Sequence, residues 1–335
     1  MEEKKILITG DRPTGRLHIG HYFGSLKNRV EMQHDYETYI LIADVQALTD
    51  NFNDPEKVRE NVREIALDNL AVGMDPKTSH IYIQSMIPET TELTTYLSNL
   101  VTVSRLYRNP TTKYEASKKE IFGNDDGLIT YGFLGYPVSQ AADILVMDGD
   151  IVPVGDDQLP HIEQARELAR KFNSIYGETF KEPKAVVSKE SRIKGLDGND
   201  KMSKSLGNAI YLADDEETIT KKVMKAITDP NKIKKDDPGN PDVCMVYYYH
   251  KLFTKDTDTV CKECKAGSRG CVACKKELAQ NIIDYLKPIQ ARRKYYEERP
   301  GLVDEILKEG TNAAHKRAKS TMKKVRHNMK IDYFE

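Results

Sequence analysis

The first half of the chain alternates short apolar runs with longer segments of helical periodicity. Residues 4–10 (KKILITG), 38–45 (TYILIADV) and 79–85 (SHIYIQS) have the length and apolar character of buried parallel strands. Residues 17–33, between the first two runs, have a helical pattern. A second helix is predicted from Pro55, with Asp54 as its N-cap and an aliphatic stripe from Val58 to Leu70. This alternation predicts an α/β layer fold.

The pattern changes in the second half of the chain. Residues 141–147 (AADILVM) lead toward a further region ending in 150–158 (DIVPVGDDQ), and a helix is predicted over about 161–172. Beyond residue 206 the chain is mostly helical in pattern, rich in lysine and poor in strand signals. We therefore predict a Rossmann-type parallel-sheet domain over residues 1–205 and an α-helical domain over 206–335.

Composition agrees with a globular protein of two domains. The chain has 335 residues, of which 39% are hydrophobic and 31% charged. Nothing at the N-terminus resembles a signal peptide, and no apolar stretch approaches the roughly 18 residues that a membrane span requires. We expect a cytoplasmic protein without membrane association.

Positive charge is concentrated near the C-terminus. Residues 287–330 carry 13 Lys and Arg against 5 Asp and Glu, although the net charge of the whole chain is −1. Such a segment is typical of a nucleic-acid-binding surface, and it is equally typical of a solvated helix face. Charge alone leaves both readings open.

A glycine-containing turn follows the first predicted strand and opens into a helix (TGDRPTGRLHIGHYFGSL). A helix N-terminus suits an anion, and Gly15 and Gly20 allow a base or phosphate to approach the backbone. His18 and His21 lie three residues apart, on one face of a helical turn. They are metal ligands, structural residues or hydrogen-bond donors to a phosphate; no third metal ligand is evident nearby, and the glycines favour the phosphate.

A second glycine-bounded segment, GLDGNDKMSKSLGN, places Lys201 and Lys204 around two small hydroxyl residues, Ser203 and Ser205. It is either a charged surface turn or a mobile clamp for phosphates. The two segments together resemble the signature motifs of class I aminoacyl-tRNA synthetases, HIGH at 18–21 and KMSKS at 201–205. The resemblance implies catalytic roles for His18, His21, Lys201 and Lys204, which would stabilise the phosphates of ATP while a carboxylate displaces pyrophosphate.

Residues 132–173 (GFLGYPVSQAADILVMDGDIVPVGDDQLPHIEQARELARKFN) resemble the corresponding part of tryptophanyl-tRNA synthetases, and the similarity extends over essentially the whole chain. It implies activation of tryptophan by ATP to tryptophanyl-adenylate and pyrophosphate, followed by transfer to the 3′ end of tRNA(Trp). The alternatives are a tyrosine–tRNA ligase, which shares both motifs, and a non-catalytic, metal-containing RNA-binding relative.

The resemblance also implies an ATP site, with Mg²⁺ travelling on the phosphates. The positions that match the family's ATP contacts are Arg12, Pro13, Thr14, Gly20 and His21, then Gly155, Asp156 and Asp157 near the ribose, Ile193 against adenine, and Lys201, Met202, Ser203, Lys204 and Ser205. The carboxylates at 156 and 157 are also suited to cap the helix that follows them.

Asp143 is the expected determinant of amino-acid choice. It lies between apolar neighbours, where a carboxylate requires a partner, either a structural one or the indole N–H that the resemblance implies. Tyr136 and Gln158 match positions that hold the substrate's ammonium group. Gln140 and Gln46 are also assigned to the pocket, although the family often has an apolar residue at the first position and histidine at the second.

Four cysteines, Cys261, Cys264, Cys271 and Cys274, form the pattern C-x2-C-x6-C-x2-C, and Cys244 lies upstream. Such spacing indicates a metal site, with Zn²⁺ on the four clustered thiolates as one reading. One branch of tryptophanyl-tRNA synthetases instead resembles this chain in having a cysteine after NPDV and a C-x6-C-x2-C group that together ligate a [4Fe–4S] cluster. That match implies Cys244, Cys264, Cys271 and Cys274 as ligands, and we favour it because it gives Cys244 a role.

The same resemblance implies a homodimer, and it places recognition of the tRNA anticodon in the helical domain.

Overall fold

The computed structural model describes residues 4–118, 129–187, 193–199, 201–204 and 206–334. Within these residues five strands form one sheet, in which every pairing is parallel and the strand order is 3-2-1-4-5. The strands are β1 (Ile6–Asp11), β2 (Glu37–Ile42), β3 (Ser79–Ile83), β4 (Ile151–Val154) and β5 (Lys184–Val187). The predicted parallel-sheet α/β fold is confirmed.

Helices cover the sheet and account for most of the second half. They are α1 (Ile19–His21), α2 (Lys27–Met32), α3 (Asp44–Asn51), α4 (Pro55–Val72), α5 (Pro88–Ser98), α6 (Val103–Tyr107), α7 (Pro110–Lys118), α8 (Tyr131–Val146), α9 (Leu159–Tyr176), α10 (Glu216–Met224), α11 (Met245–Phe253), α12 (Thr257–Lys265), α13 (Cys271–Glu297) and α14 (Pro300–Met329). A π-helical turn, Tyr22–Leu26, joins α1 to α2.

Local chemistry explains where key helices begin. The Asp54 side chain accepts the backbone N–H of Lys57 at 3.2 Å, and Pro55 occupies the first helical position of α4, as predicted. The helical segment predicted over 17–33 begins only at Ile19. His18 is extended and caps α1, so its backbone is not part of the helix.

The two long C-terminal helices pack against elements of the first half of the chain. Helix α14 lies against β3, and the approach is so close that a Cβ on Gly310 would be 2.1 Å from the carbonyl oxygen of Ile81. Helix α13 packs against α4 and α10. The domain boundary at 205/206 stays a prediction. In the part of the chain that the structure describes, no helix combines the length and apolarity needed to cross a membrane.

The topology determines where a ligand can bind. The chain adds β2 and β3 on one side of β1 and then returns to add β4 and β5 on the other. In open parallel sheets such a reversal leaves a crevice at the carboxyl ends of the strands. Here the ends of β1 and β4 define that crevice.

Candidate active site

A cavity of about 790 Å³ opens at the carboxyl ends of β1 and β4. Its volume is within the range of small-molecule sites. Residues predicted from both distant motifs and from the segment between them line it: Arg12, Thr14, His18, Gly20, His21, Gln46, Tyr136, Gln140, Asp143, Gly155, Asp156, Asp157, Gln158, Ile193, Lys201, Met202, Ser203 and Lys204. Pro13 is buried in the adjoining turn and does not line the cavity. Ser205 lies outside the described residues.

The side chains of the two histidines at the cavity wall accept backbone N–H groups of the same turn. The Nδ1 atom of His18 accepts the N–H of Gly20 at 3.1 Å, and Nδ1 of His21 accepts the N–H of His18 at 3.2 Å. Burial, together with the neighbouring lysines, lowers the pKa of His18 to about 2 and that of His21 to about 3. Both rings are therefore neutral, and since each Nδ1 accepts, each Nε2 carries the proton. Neutral N–H donors at these positions suit a phosphate oxygen.

The two motifs are joined by backbone pairing. The Ile19 N–H donates to the carbonyl of Ile210 at 3.0 Å, and the Leu212 N–H donates to the carbonyl of Leu17 at 3.0 Å. These bonds form a short antiparallel ladder around the bridge between His18 and Tyr211. The chain just after the lysine loop is thus tied to the histidine turn, which brings residues separated by about 190 positions to one cavity.

The lysines of the second motif face the first. Lys204 Nζ donates to the carbonyl of Gly15 at 2.6 Å, and Lys201 Nζ pairs with Asp157 Oδ2 at 3.0 Å. Gly15 has φ of +123°, a conformation that side chains disfavour, so glycine is required for this carbonyl to turn toward Lys204. Burial lowers the pKa of Lys204 to about 8. A bound phosphate would raise the pKa of Lys204 again, because a nearby negative charge stabilises the ammonium form.

Asp143 lies at the floor of the cavity and is almost fully buried. Its Oδ2 accepts a hydrogen bond from Gln84 Nε2 at 2.8 Å, whereas Oδ1 is buried without a hydrogen-bond partner. Burial raises the pKa of Asp143 to about 8, although the bond from Gln84 opposes this. A buried oxygen without a partner is energetically costly, and it marks a position where a ligand donor would bind.

A polar cluster lies beside this floor. The Tyr136 hydroxyl contacts His161 Nε2 at 3.2 Å and accepts from Thr112 Oγ1 at 3.4 Å. Gln140 Nε2 donates to Gln158 Oε1 at 3.3 Å, while Gln140 Oε1 is buried without a partner. The two substrate-side glutamines therefore form a pair, and one of their oxygens is available to a ligand.

Two functional neighbours were missed in the sequence. Gln84 holds Asp143 on one side and accepts the N–H of Gln46 on the other at 3.0 Å. His161 lines the cavity, and burial lowers its pKa to about 4, so it is neutral. A glutamine directly after a buried strand was the available signal for Gln84, because residues at that position face the carboxyl edge of the sheet.

Cys261 and Cys264 lie in α12, Cys271 and Cys274 lie in the first turn of α13, and Cys244 directly precedes α11. Burial raises the pKa of the Cys264 thiol, and the nearby Cys244 and Cys271 raise it further. Burial also raises the pKa of Cys274, with Cys244 and Cys264 acting in the same direction. Cys261 instead contacts the Tyr247 hydroxyl. Among the described residues, no group of three or more His, Cys, Asp or Glu side chains is arranged so that it could hold a single metal ion.

The cavity, the sheet order and the two motifs define a class I tRNA synthetase. The family described as tRNA synthetases class I (W and Y) matches residues 1–287, and this chain belongs to it.

Within this family, the chain is similar to proteins named as tryptophan–tRNA ligases. The chain is 53% identical over 340 residues to the tryptophan–tRNA ligase of Clostridium longisporum, covering 99% of this chain and 98% of the relative. It is 47% identical over 342 residues to that of Streptococcus pyogenes serotype M1, covering 99% of each chain. A crystal structure of the Campylobacter jejuni tryptophanyl-tRNA synthetase, complexed with ADP and tryptophan, superposes with a TM-score of 0.86 at 33% identity, covering 97% of this chain and 99% of that one.

Proposed function

We propose that this chain is a tryptophan–tRNA ligase. It activates tryptophan with ATP to form tryptophanyl-adenylate and pyrophosphate, and it then transfers the tryptophanyl group to the 3′ end of tRNA(Trp). Full-length similarity to tryptophan–tRNA ligases supports the reaction. The observation that carries the substrate assignment is the unpartnered Oδ1 of buried Asp143, which faces the same cavity as the two phosphate motifs.

The phosphate end of the cavity supplies positioning and charge. The Nε2–H groups of His18 and His21 donate to phosphate oxygens, and Lys201 and Lys204 exchange their contacts with Asp157 and the Gly15 carbonyl for the leaving pyrophosphate. The tryptophan carboxylate attacks the α-phosphorus, and the bond from that phosphorus to the pyrophosphate oxygen breaks. Mg²⁺ accompanies ATP and neutralises phosphate charge, while Arg12, Thr14, Gly155, Asp156 and Ile193 line the nucleotide's part of the cavity.

Asp143 distinguishes tryptophan from other amino acids by a single hydrogen bond. The indole N–H donates to Oδ1, which has no other partner, so a side chain without this donor leaves a buried carboxylate oxygen unsatisfied. Tyr136 and Gln158 face the ammonium group. Gln140 and Gln46 make this end of the cavity more polar than the resemblance implies, and Gln46 is fixed there through its backbone bond to Gln84.

Amino-acid-dependent exchange of pyrophosphate into ATP tests this assignment. We expect exchange with tryptophan and little with tyrosine or phenylalanine. Preference for tyrosine would overturn the substrate, and absence of exchange with every amino acid would favour the non-catalytic RNA-binding alternative. Charging of tRNA(Trp) transcript with labelled tryptophan then tests the second step.

We further propose a [4Fe–4S] cluster on Cys244, Cys264, Cys271 and Cys274. These thiols are close enough that neighbouring cysteines help to raise the pKa values of Cys264 and Cys274, which supports this ligand set. Cys261 is left out of the set because it is hydrogen-bonded to Tyr247. A tetrahedral zinc site requires sulfur atoms about 3.8 Å apart, given Zn–S bonds of about 2.3 Å. A cluster with one cysteine on each iron spans a wider thiol spacing than a single zinc ion does. Anaerobic purification should give a brown protein with four irons per chain, and a colourless protein with one zinc would refute the cluster.

The remaining partners are proposed from the family. A homodimer would cover exposed apolar side chains such as Val103, Tyr107 and Tyr114 on α6 and α7. Exposed lysines and arginines of the segment 287–330 would contact tRNA phosphates, so affinity for tRNA should fall steeply with salt. Light scattering of the purified protein tests the dimer. The cytoplasmic location stays a prediction.

A further inference from the structure

A buried ion pair joins two helices that lie far apart in the sequence. Asp68 of α4 is fully buried, and its Oδ1 accepts a hydrogen bond from the guanidinium group of Arg293 on α13, which is itself 3% exposed. Arg293 also donates to Glu64 Oε2 at 2.7 Å and to Glu297 Oε1 at 2.8 Å. The partners of Arg293 thus come from both helices.

The second oxygen of Asp68 reaches the phosphate-binding turn. Asp68 Oδ2 accepts the backbone N–H of Leu17 at 2.7 Å in a buried position. Leu17 immediately precedes His18, and its own carbonyl accepts the N–H of Leu212, beyond the lysine loop. One carboxylate therefore holds the backbone from which the His18 ring projects, and that backbone also carries the ladder between the two motifs.

A buried ion pair contributes little net stability compared with apolar side chains of the same size, but removing one partner is costly because a charge is left buried. Arg292, the neighbour of Arg293, makes a simpler link between the same helices by donating to the Ala71 carbonyl at 2.7 Å. What distinguishes Asp68 is the bond to Leu17.

We propose that Asp68, paired with Arg293, is a positioning residue that fixes the Leu17–His18 backbone for ATP. The inference rests on the proposed function. Asp68 does not line the cavity and touches no substrate, so beyond the effect of its charge on Lys204 it acts through Leu17. Loss of the acceptor frees the backbone beneath His18 and impairs ATP binding and adenylate formation. The tryptophan end, on the other side of the cavity, keeps its geometry.

Two double variants isolate the bond to Leu17. Asp68→Asn with Arg293→Leu removes both charges but leaves an amide oxygen that accepts from Leu17. Asp68→Leu with Arg293→Leu removes both charges and the acceptor, while leucine has nearly the same branched shape as asparagine. We expect the KM for ATP to rise about tenfold in the leucine pair relative to the asparagine pair, as for a buried donor left unsatisfied. The KM for tryptophan should be equal in the two.

The single variant Arg293→Leu removes the competing donor, leaves Asp68 to accept from Leu17, and serves if a double variant does not fold; its KM for ATP should match that of the wild type. Arg292→Leu is the matched control for the contact between α4 and α13, and it too should leave the KM for ATP unchanged. Equal KM values for ATP in the two double variants would overturn the inference. Direct titration of the wild-type protein with ATP distinguishes the positioning role of Asp68 from the proposed function. A wild-type protein that binds ATP but shows no tryptophan-dependent exchange would refute only the proposed function.

Discussion

Replacement of Asp143 by asparagine tests how the site recognises tryptophan, because it changes the shape of the side chain very little. In the wild type, the two carboxylate oxygens serve two donors, Gln84 Nε2 and the indole N–H. Asparagine has one oxygen, so one donor faces an amide NH₂ instead. Gln84 cannot rotate its amide to compensate, because its Oε1 accepts the backbone N–H of Gln46 at 3.0 Å.

The size of the effect follows from these contacts. Because burial raises the pKa of Asp143 to about 8, the group is largely protonated near neutral pH. A hydrogen bond to a neutral group contributes about 0.5–1.5 kcal/mol, and a buried donor left unsatisfied costs about 1–3 kcal/mol. Together these changes amount to about 2–4 kcal/mol. At 1.36 kcal/mol per decade, kcat/KM for tryptophan should fall by about 30- to 1000-fold.

The assay is tryptophan-dependent pyrophosphate exchange with ATP saturating, run for tryptophan and for an analogue in which sulfur replaces the indole N–H. The wild type should strongly prefer tryptophan, and the variant should lose most of that preference. Near-wild-type kcat/KM, or undiminished preference, would refute the role of Asp143.

The sign of the pH dependence is a separate check on the same group. Burial raises the pKa of Asp143 to about 8 in the folded protein, above its value in the unfolded chain. The folded state therefore holds the proton longer, and this group's contribution to stability falls as pH rises from about 4 to about 8. Asp143→Asn should become more stable relative to wild type over that interval, measured as the difference in melting temperature. A pH-independent difference would contradict the assignment.

Three further results are expected. Lys204→Ala should slow adenylate formation far more than it weakens binding of tryptophan, and because burial holds the pKa of Lys204 near 8, wild-type kcat/KM for ATP should decline above that pH while Lys204→Arg does not decline. Cys264→Ala should abolish the visible absorption of the iron–sulfur chromophore, whereas Cys261→Ser should retain it. Gly310→Ala should lower the free energy of unfolding by at least about 1–3 kcal/mol, because its Cβ would overlap a carbonyl of β3, and Gly301→Ala, with open space around it, should be neutral or stabilising.

Each of these results has an opposite that would count against the reasoning. A Lys204→Ala variant with normal adenylate formation would place the phosphates elsewhere. Retention of colour after loss of Cys264 would change the ligand set. A Gly310→Ala melting temperature equal to that of Gly301→Ala would show that α14 does not pack on β3 as described.

Local signals were enough to predict several of the strands and helices. The N-cap at Asp54 and the apolar run of β2 were confirmed because capping and continuous burial depend on neighbours in the sequence. Strand β5 was missed: it has four residues, and neither of its ends is buried, so it lacks the apolar run that identifies the other strands.

The partners of buried polar groups were beyond local reasoning. Gln84 and Asp143 are 59 positions apart, and Asp68 and Arg293 are 225 apart, so only the packed fold brings them within hydrogen-bond distance. The sequence indicated that Asp143 requires a partner, which it has in Gln84. It did not indicate that one oxygen is left without one. The unpartnered oxygen depends on the tertiary structure, and it is the reason that we assign Asp143 as a substrate contact.

A structure with a non-hydrolysable tryptophanyl-adenylate analogue would show whether Asp143 and the two motifs bind one ligand. We expect the indole nitrogen within about 2.7–3.2 Å of Asp143 Oδ1 and the phosphate between the His18 and His21 rings and Lys204. An analogue bound in the reverse orientation, or outside this cavity, would contradict it.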